Sequence, residues 1–115
     1  MPVYLIAICR SVSNRRGLED YWANVGPTFA GYGAKPLIVY TPFDLLEGDG
    51  PIEGVAMIEF PSMDAATGWY ESDAYQKVKQ HRMGAAVYDL VLVGGGVIPP
   101  NDRMPQTRVV PPSPP

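Results

Sequence analysis

Residues 3 to 9 read V-Y-L-I-A-I-C, residues 55 to 60 read V-A-M-I-E-F, and residues 88 to 93 read Y-D-L-V-L-V. The three segments are rich in β-branched and aromatic residues, which favour strands. A strand with one face in water alternates polar and apolar residues, whereas these three are apolar on both faces. They therefore predict strands that are covered on both sides, and they determine the fold.

The segment after the first strand predicts a helix. Its apolar residues recur at steps of three and four, the stripe of an amphipathic helix: Leu18, Tyr21, Trp22, Val25 and Phe29. Residues 11 to 14 supply side chains that can cap its first turn. Pro27 lacks a backbone donor and its ring clashes with the carbonyl four residues earlier, so we expect the helix to kink or break near Ala23.

The remaining elements follow from similar signals. Residues 37 to 41 and 45 to 46 indicate a second strand, and Pro36 and Pro42 place it at a sheet edge or bulge. Ser62 is a suitable cap for a helix over residues 63 to 70, and a further helical stretch continues from Ser72 to about residue 83.

The order of these elements is β-α-β-β-α-β, the ferredoxin-like α+β arrangement with a four-stranded antiparallel sheet and both helices on one face. The other face of the sheet would be a large exposed apolar surface in a monomer. We therefore predict a homodimer that packs through its sheet faces, a dimeric α/β barrel, with a pocket between helices and sheet in each subunit. Residues 1–94 form this domain, and residues 95–115 form a Gly/Pro-rich C-terminal tail.

Composition excludes several classes of function. The net charge of −3 comes from 9 basic and 12 acidic residues without a long run of either sign, which argues against nucleic-acid binding. No apolar stretch is long enough to span a bilayer, so we expect a cytoplasmic protein with no membrane partner. The single cysteine, Cys9, lies in a strand and is expected to be an inert core thiol. No nucleotide or metal motif is present, so no cofactor is predicted.

Residues 3–94 resemble the DUF1330 family of small bacterial proteins, a branch of the dimeric α/β-barrel superfamily. The matching segments are Gly26-Pro27-Thr28 with Tyr32-Gly33, Leu45-Leu46-Glu47-Gly48, Ile58-Glu59-Phe60-Pro61-Ser62, Trp69-Tyr70 with Ser72 and Tyr75, Arg82, and Asp89 with Leu92-Val93. The resemblance implies the fold. The wider superfamily includes isomerases, polyketide cyclases, cofactor-free monooxygenases and haem-degrading enzymes, which implies a small carbonyl or phenolic substrate in the helix–sheet pocket.

The chain departs from the family pattern at several positions: Lys35, Pro36, Val39, Tyr40 and His81. Plant-type cyclases of the superfamily carry a catalytic histidine roughly where this chain has Tyr75. Their mechanism therefore does not carry over.

Four residues are candidates for catalysis: Glu59, Arg82, His81 and Tyr75. Glu59 and Asp89 interrupt otherwise apolar strands, and a buried carboxylate needs a partner, for which Arg82 is the natural choice. Tyr75 and Arg82 are seven residues apart on one inward helical stripe. The alternatives are a purely structural ion pair, or Arg82 as an oxyanion or carboxylate clamp with Glu59 as general base.

Histidine is the side-chain type that most often exchanges protons near neutral pH, but His81 lies at the flank of that stripe, so an exposed position, a catalytic role and a metal-ligating role all remain open. Tyrosine hydroxyls in an apolar pocket can orient a carbonyl or phenol. The candidate substrate-binding residues are Tyr21, Trp22, Tyr40, Trp69 and Tyr4, although packing alone explains the two tryptophans.

Three functions fit these features. The first is a cofactor-independent enzyme, an isomerase, cyclase or lyase, that acts by proton transfer on an oxygenated, cyclic or polyketide-like substrate. The second is a non-catalytic homodimeric module of the ligand-binding or stress type. The third is a cofactor-free monooxygenase.

Overall fold

The structure is a computed structural model that describes residues 1–104. Its strands are β1 (Val3–Val12), β2 (Lys35–Val39), β3 (Gly54–Phe60) and β4 (Ala86–Gly94). Its helices are α1 (Arg15–Val25), α2 (Met63–Glu71) and α3 (Asp73–Arg82), with short 3₁₀ segments at Gly26–Phe29 and Pro100–Asp102. Residues 95–104 of the predicted tail are described, and the rest of that tail lies outside the described residues.

The four strands form one antiparallel sheet in the order β2-β3-β1-β4. The fold is therefore α+β with the predicted β-α-β-β-α-β order, and the second helical region is divided into α2 and α3 at Ser72. β2 is an edge strand, and its pairing with β3 shifts register between Pro36 and Ile38, as expected for a strand that contains proline.

Three boundaries differ from the sequence prediction. Strand β2 covers Lys35–Val39, whereas the prediction gave residues 37 to 41. Residues 45 and 46 are not a strand, because the chain leaves the sheet after Val39 and runs as an irregular loop to β3. Helix α1 does not break near Ala23 but continues to Val25. Pro27 then occupies the start of a 3₁₀ turn, where its missing N–H leaves no hydrogen bond unmade.

Side-chain caps start all three helices. Asn14, Ser62 and Ser72 accept hydrogen bonds from the backbone N–H groups of Gly17, Ala65 and Tyr75. These bonds satisfy donors that a helix start otherwise leaves free. The sequence predicts the cap at Ser62 and places the cap of α1 within residues 11 to 14, where Asn14 provides it.

The sheet has two unlike faces. One face packs against the helices, and its buried side chains include Val3, Leu5, Ile58 and Phe60. We call the opposite face the open face. Its apolar side chains are Ile6, Ile8, Ile38, Val55, Met57, Val87, Val91 and Val93. Val91 is 49% exposed and Val93 is 42% exposed, so the strands are apolar on both faces, as predicted.

Candidate active site

A cavity of about 590 Å³ lies between helix α1 and the sheet. It is the helix–sheet pocket that the topology predicts. Its walls come from α1, from one end of β1, β3 and β4, and from the residues that flank the loop between β2 and β3. The lining residues are Cys9, Val12, Arg15, Leu18, Trp22, Tyr40, Glu53, Gly54 and Tyr88.

Tyr40 is held over this cavity by its backbone. Its φ of 54° lies in the left-handed region, which is uncommon for a residue with a side chain. Its N–H donates to the carbonyl of Val55 at 2.9 Å. The Tyr40 ring then lies directly on Gly54, where an added Cβ would stand only 2.8 Å from Tyr40 Cδ1. Gly54 therefore makes the room that the Tyr40 ring occupies.

The hydroxyls of Tyr40 and Tyr88 form a hydrogen bond of 2.7 Å. Burial raises the pKa of Tyr88, and the bond to Tyr40 adds to the rise. Tyr88 therefore keeps its proton at neutral pH. Because one hydroxyl donates to the other, the pair uses one of its two O–H donors internally and leaves the second for a ligand.

A buried arginine lies behind Tyr88. The guanidinium carbon of Arg82 stands 5.1 Å from the Tyr88 ring centre and 5.4 Å from that of Tyr21. Arg82 Nη2 donates to Tyr75 Oη at 3.4 Å, and Tyr75 Oη is 3.0 Å from Tyr21 Oη. Burial opposes the charge on Arg82, but the tyrosine oxygens outweigh burial and its pKa lies above the ordinary value. Arg82 is therefore a cation within the core.

Two side-chain donors near this cluster have no acceptor. Among the described residues, Trp22 Nε1 and Arg82 Nε are the buried side-chain polar atoms without a hydrogen-bond partner. The Trp22 ring lines the cavity and packs against Tyr40 at 5.2 Å between centres. A buried donor without an acceptor loses the hydration it had in the unfolded chain. The Trp22 indole interacts with Tyr88, where it opposes the rise in the Tyr88 pKa, and its N–H and the spare tyrosine O–H are two donors in this region.

The structure does not bring Glu59 and Arg82 together. Glu59 lies on the open face, where it pairs across the strands with Tyr4 and Lys35, whereas Arg82 is buried on the helix side. Asp89, the other carboxylate considered for Arg82, forms an ion pair with Arg10 at 2.8 Å. Tyr4 is likewise on the open face and does not line the cavity.

The other predicted residues occupy three environments. Tyr75 and Arg82 are adjacent, as their helical spacing indicates, and Tyr21 joins them through the hydroxyl contact. Trp69 is 1% exposed and belongs to the core, where its Nε1 donates to Thr28 Oγ1 at 2.9 Å. His81 is exposed and borders a separate groove of about 390 Å³ between α1 and α3.

Several cavity residues were missed by the sequence reasoning: Arg15, Glu53, Gly54 and Tyr88. Tyr88 lies on the helix side of β4, as Leu90 and Leu92 do. Because side chains alternate along a strand, this position could have been identified once the side occupied by one β4 residue was known. Glu53 directly precedes β3, and no sequence pattern indicated that it would line the cavity. Cys9, predicted to be a core thiol, is 3% exposed and also lines the cavity.

Within residues 1–104, no group of three or more His, Cys, Asp and Glu side chains could hold a metal ion. None of the helices in that range is long and apolar enough to cross a membrane.

Comparisons with known proteins agree on the fold. A family model described as "Domain of unknown function (DUF1330)" matches residues 2–96. No curated protein matches the sequence. A protein of unknown function from Rhodopseudomonas palustris, RPA0582, is 21% identical over 84% of each chain, with a TM-score of 0.67.

Two further structures show a related arrangement. SnoaB, a cofactor-independent oxygenase from Streptomyces nogalater, is 12% identical over 86% of this chain and 97% of its own, with a TM-score of 0.57. Rv0793 from Mycobacterium tuberculosis is 15% identical over 85% of this chain and 98% of its own, also with a TM-score of 0.57. At these identities the likeness shows the ferredoxin-like α+β fold alone and no activity.

Proposed function

The chain belongs to the DUF1330 family, and because that description names no activity, we propose a function from the site itself. We propose a cofactor-independent enzyme that moves a proton on a small oxygenated substrate bound in the cavity between α1 and the sheet. The reaction would be of the isomerase, cyclase or lyase type.

The observation that carries this proposal is the pair of tyrosine hydroxyls in the cavity wall. The Tyr40–Tyr88 pair has one spare O–H, because one of the two hydroxyls donates to the other and either can be the one left to donate to a ligand. A hydroxyl that donates to a substrate carbonyl stabilises the oxyanion that forms when a neighbouring carbon loses its proton. Such a pair can therefore promote enolisation.

Glu53 replaces Glu59 in this proposal as the base. Glu53 lines the cavity, whereas Glu59 lies on the open face. The Glu53 carboxylate would take a proton from the carbon beside the substrate carbonyl, and the electrons of that C–H bond would form the enolate. Return of the proton to another carbon completes an isomerisation. Tyr75 and Tyr21 would act as positioning residues, because they hold Arg82 behind Tyr88.

The test is hydrogen exchange on 1-tetralone, a bicyclic aromatic ketone, followed by NMR in heavy water. The wild-type protein should exchange the protons beside the carbonyl faster than buffer does. Glu53→Gln should lower the enzymatic rate about 100-fold or more, the contribution typical of a general base. Glu47→Gln removes an exposed carboxylate of the same loop that does not line the cavity, and it should leave the rate unchanged.

Exchange at the buffer rate with 1-tetralone bound in the cavity would instead favour the non-catalytic ligand-binding module. A cofactor-free oxygenase is the second enzymatic candidate, and the description of SnoaB favours it. The same proton removal from a phenol would yield an electron-rich anion. Oxygen uptake with 1,4-dihydroxynaphthalene, dependent on Glu53, would distinguish this activity from isomerisation.

We also propose that the open face pairs with the open face of a second copy of the chain. Its exposed valines and the apolar side chains around them would otherwise face water. The fold of the structural neighbours supports this assembly. Two sheets packed face to face would leave the helix-covered cavity of each subunit accessible to a small molecule.

A further inference from the structure

We propose that the substrate binds with a negative charge beside its planar apolar part, as a carboxylate, phenolate or enolate. This inference rests on the proposed function and names the substrate class. It is drawn from the charge balance around Arg82.

Arg82 has no anionic partner in residues 1–104. It is 6% exposed, and neither the Arg10–Asp89 nor the Arg15–Glu19 ion pair involves it. Its guanidinium lies over the rings of Tyr21 and Tyr88 and donates to the hydroxyl of Tyr75. A buried cation is costly unless it is paired. The core thus retains a positive charge that a bound anion would compensate.

The charge of Arg82 lies close to the cavity. Arg82 does not line the cavity but stacks on Tyr88, which does. The guanidinium is therefore one aromatic ring away from a ligand bound in the cavity.

The donors of the cavity favour the same ligand. The tyrosine pair offers one spare O–H, and the indole N–H of Trp22 is buried without an acceptor. Hydrogen bonds from such donors to a charged oxygen are about twice as strong as those to a neutral one. Three of the nine lining residues, Trp22, Tyr40 and Tyr88, are aromatic, which suits an aromatic or conjugated plane.

Benzoate and benzamide test this inference, because they share size and shape and differ in charge. Isothermal titration of the full-length protein should show benzoate binding at least about tenfold more tightly than benzamide, because only benzoate carries a charge that the nearby Arg82 guanidinium attracts. Arg82→Met should remove the preference and Arg82→Lys should retain part of it. Arg16→Met, which removes an exposed charge from α1, is the control for net charge and should leave the preference intact.

Thermal unfolding monitored by circular dichroism will show whether Arg82→Met folds. If Arg82→Met does not fold, two results test the inference. They are the difference between benzoate and benzamide affinity in the wild type, and the size of that difference in Arg82→Lys. Equal affinities, or benzoate binding unaffected by Arg82→Met, would overturn the inference and leave proton transfer on a neutral ketone standing. Failure of both probes to bind at millimolar concentration, together with no exchange on 1-tetralone, would overturn the proposed function as well.

Discussion

At the scale of single residues, the Tyr40 ring and Gly54 form one unit. A left-handed backbone at a residue with a side chain costs about 1–3 kcal/mol and persists only where its surroundings fix it. Here the sheet bond to Val55 and the contact with Gly54 do so. The ring is thereby placed where its hydroxyl reaches Tyr88.

Gly54→Ala should disturb this unit. The new Cβ would lie 2.8 Å from the Tyr40 ring, so the ring must move and its hydroxyl bond should break. We expect 1-tetralone exchange to fall by about fivefold or more, the value of one hydrogen bond near 1 kcal/mol. Gly26→Ala is the control, because an added Cβ there meets nothing within 4 Å. Equal exchange rates in the two variants would show that the position of Tyr40 is unimportant.

The buried tyrosines should make stability depend on alkaline pH. Burial raises the pKa of Tyr88 in the folded protein, so above the ordinary tyrosine pKa of about 10 the unfolded chain loses a proton that the native state keeps. The stability that the buried tyrosines contribute is therefore complete below about pH 10 and is lost as the pH rises above that value.

Urea unfolding between pH 8 and 11 measures this slope. Tyr88→Phe should make the decline in unfolding free energy shallower than in the wild type. Tyr32→Phe, at a half-buried tyrosine outside the cavity, is the matched control. A Tyr88→Phe slope identical to the wild-type slope would contradict the burial of the Tyr88 hydroxyl.

The sequence predicts some of these residue contacts and not others. The seven-residue spacing of Tyr75 and Arg82 is sufficient to predict that their side chains are neighbours, because helical geometry places both on the same face of the helix. The position of Glu59 is not predictable in the same way. β3 carries apolar residues on both of its faces, so its sequence pattern does not reveal which face packs against the helices. The structure assigns Ala56 and Ile58 to that side and Glu59 to the other.

At the scale of elements, Ser72 joins two helices. Its Oγ donates to the carbonyl of Trp69 at 2.7 Å and accepts from the N–H of Tyr75 at 3.2 Å. The same side chain thus ends α2 and starts α3, and α3 carries Tyr75 and Arg82 into the core.

Ser72→Ala should lower the free energy of unfolding by about 1 kcal/mol, the usual cost of losing an N-cap. Chemical denaturation measures the change directly. Gln80→Ala, on the exposed side of α3, should stay within about 0.5 kcal/mol of the wild type. A loss no greater for Ser72→Ala than for Gln80→Ala would mean that the hydroxyl does not stabilise the junction.

Element positions were predictable where local signals were strong. Strands β1, β3 and β4 contain the segments predicted from their composition, and the cap at Ser62 was predicted correctly. Residues 45 and 46 were mistaken for strand because an apolar pair alone does not distinguish a strand from a loop. The segment from Tyr40 to Glu53 lies outside the sheet, yet both of its ends contribute to the cavity.

At the scale of the whole molecule, the sheet separates two apolar regions with different roles. The helix side holds the core and the cavity, while the open face has no cover within the described chain. The doubly apolar strands predicted this division. What they could not predict was the cavity wall, because its residues come from five parts of the chain that only the folded sheet brings together.

Val91→Glu tests the role of the open face. Val91 is 49% exposed in the isolated subunit, and a glutamate there would be buried without a partner in the proposed dimer. Sedimentation velocity should show a wild-type dimer and a folded Val91→Glu monomer. Met83→Glu is the control, since Met83 is 53% exposed at the end of α3. A wild-type monomer, or a dimer that tolerates Val91→Glu, would contradict the assembly.

The cavity as the functional site is the central claim, and tyrosine NMR tests it most directly. The chain has seven tyrosines, and labelling each ring with ¹³C at Cζ places reporters on both sides of the sheet. Titration with 1-tetralone should move the Tyr40 and Tyr88 signals most and leave Tyr4, on the open face, unchanged. Shifts confined to Tyr4, or to tyrosines outside the cavity, would contradict the account.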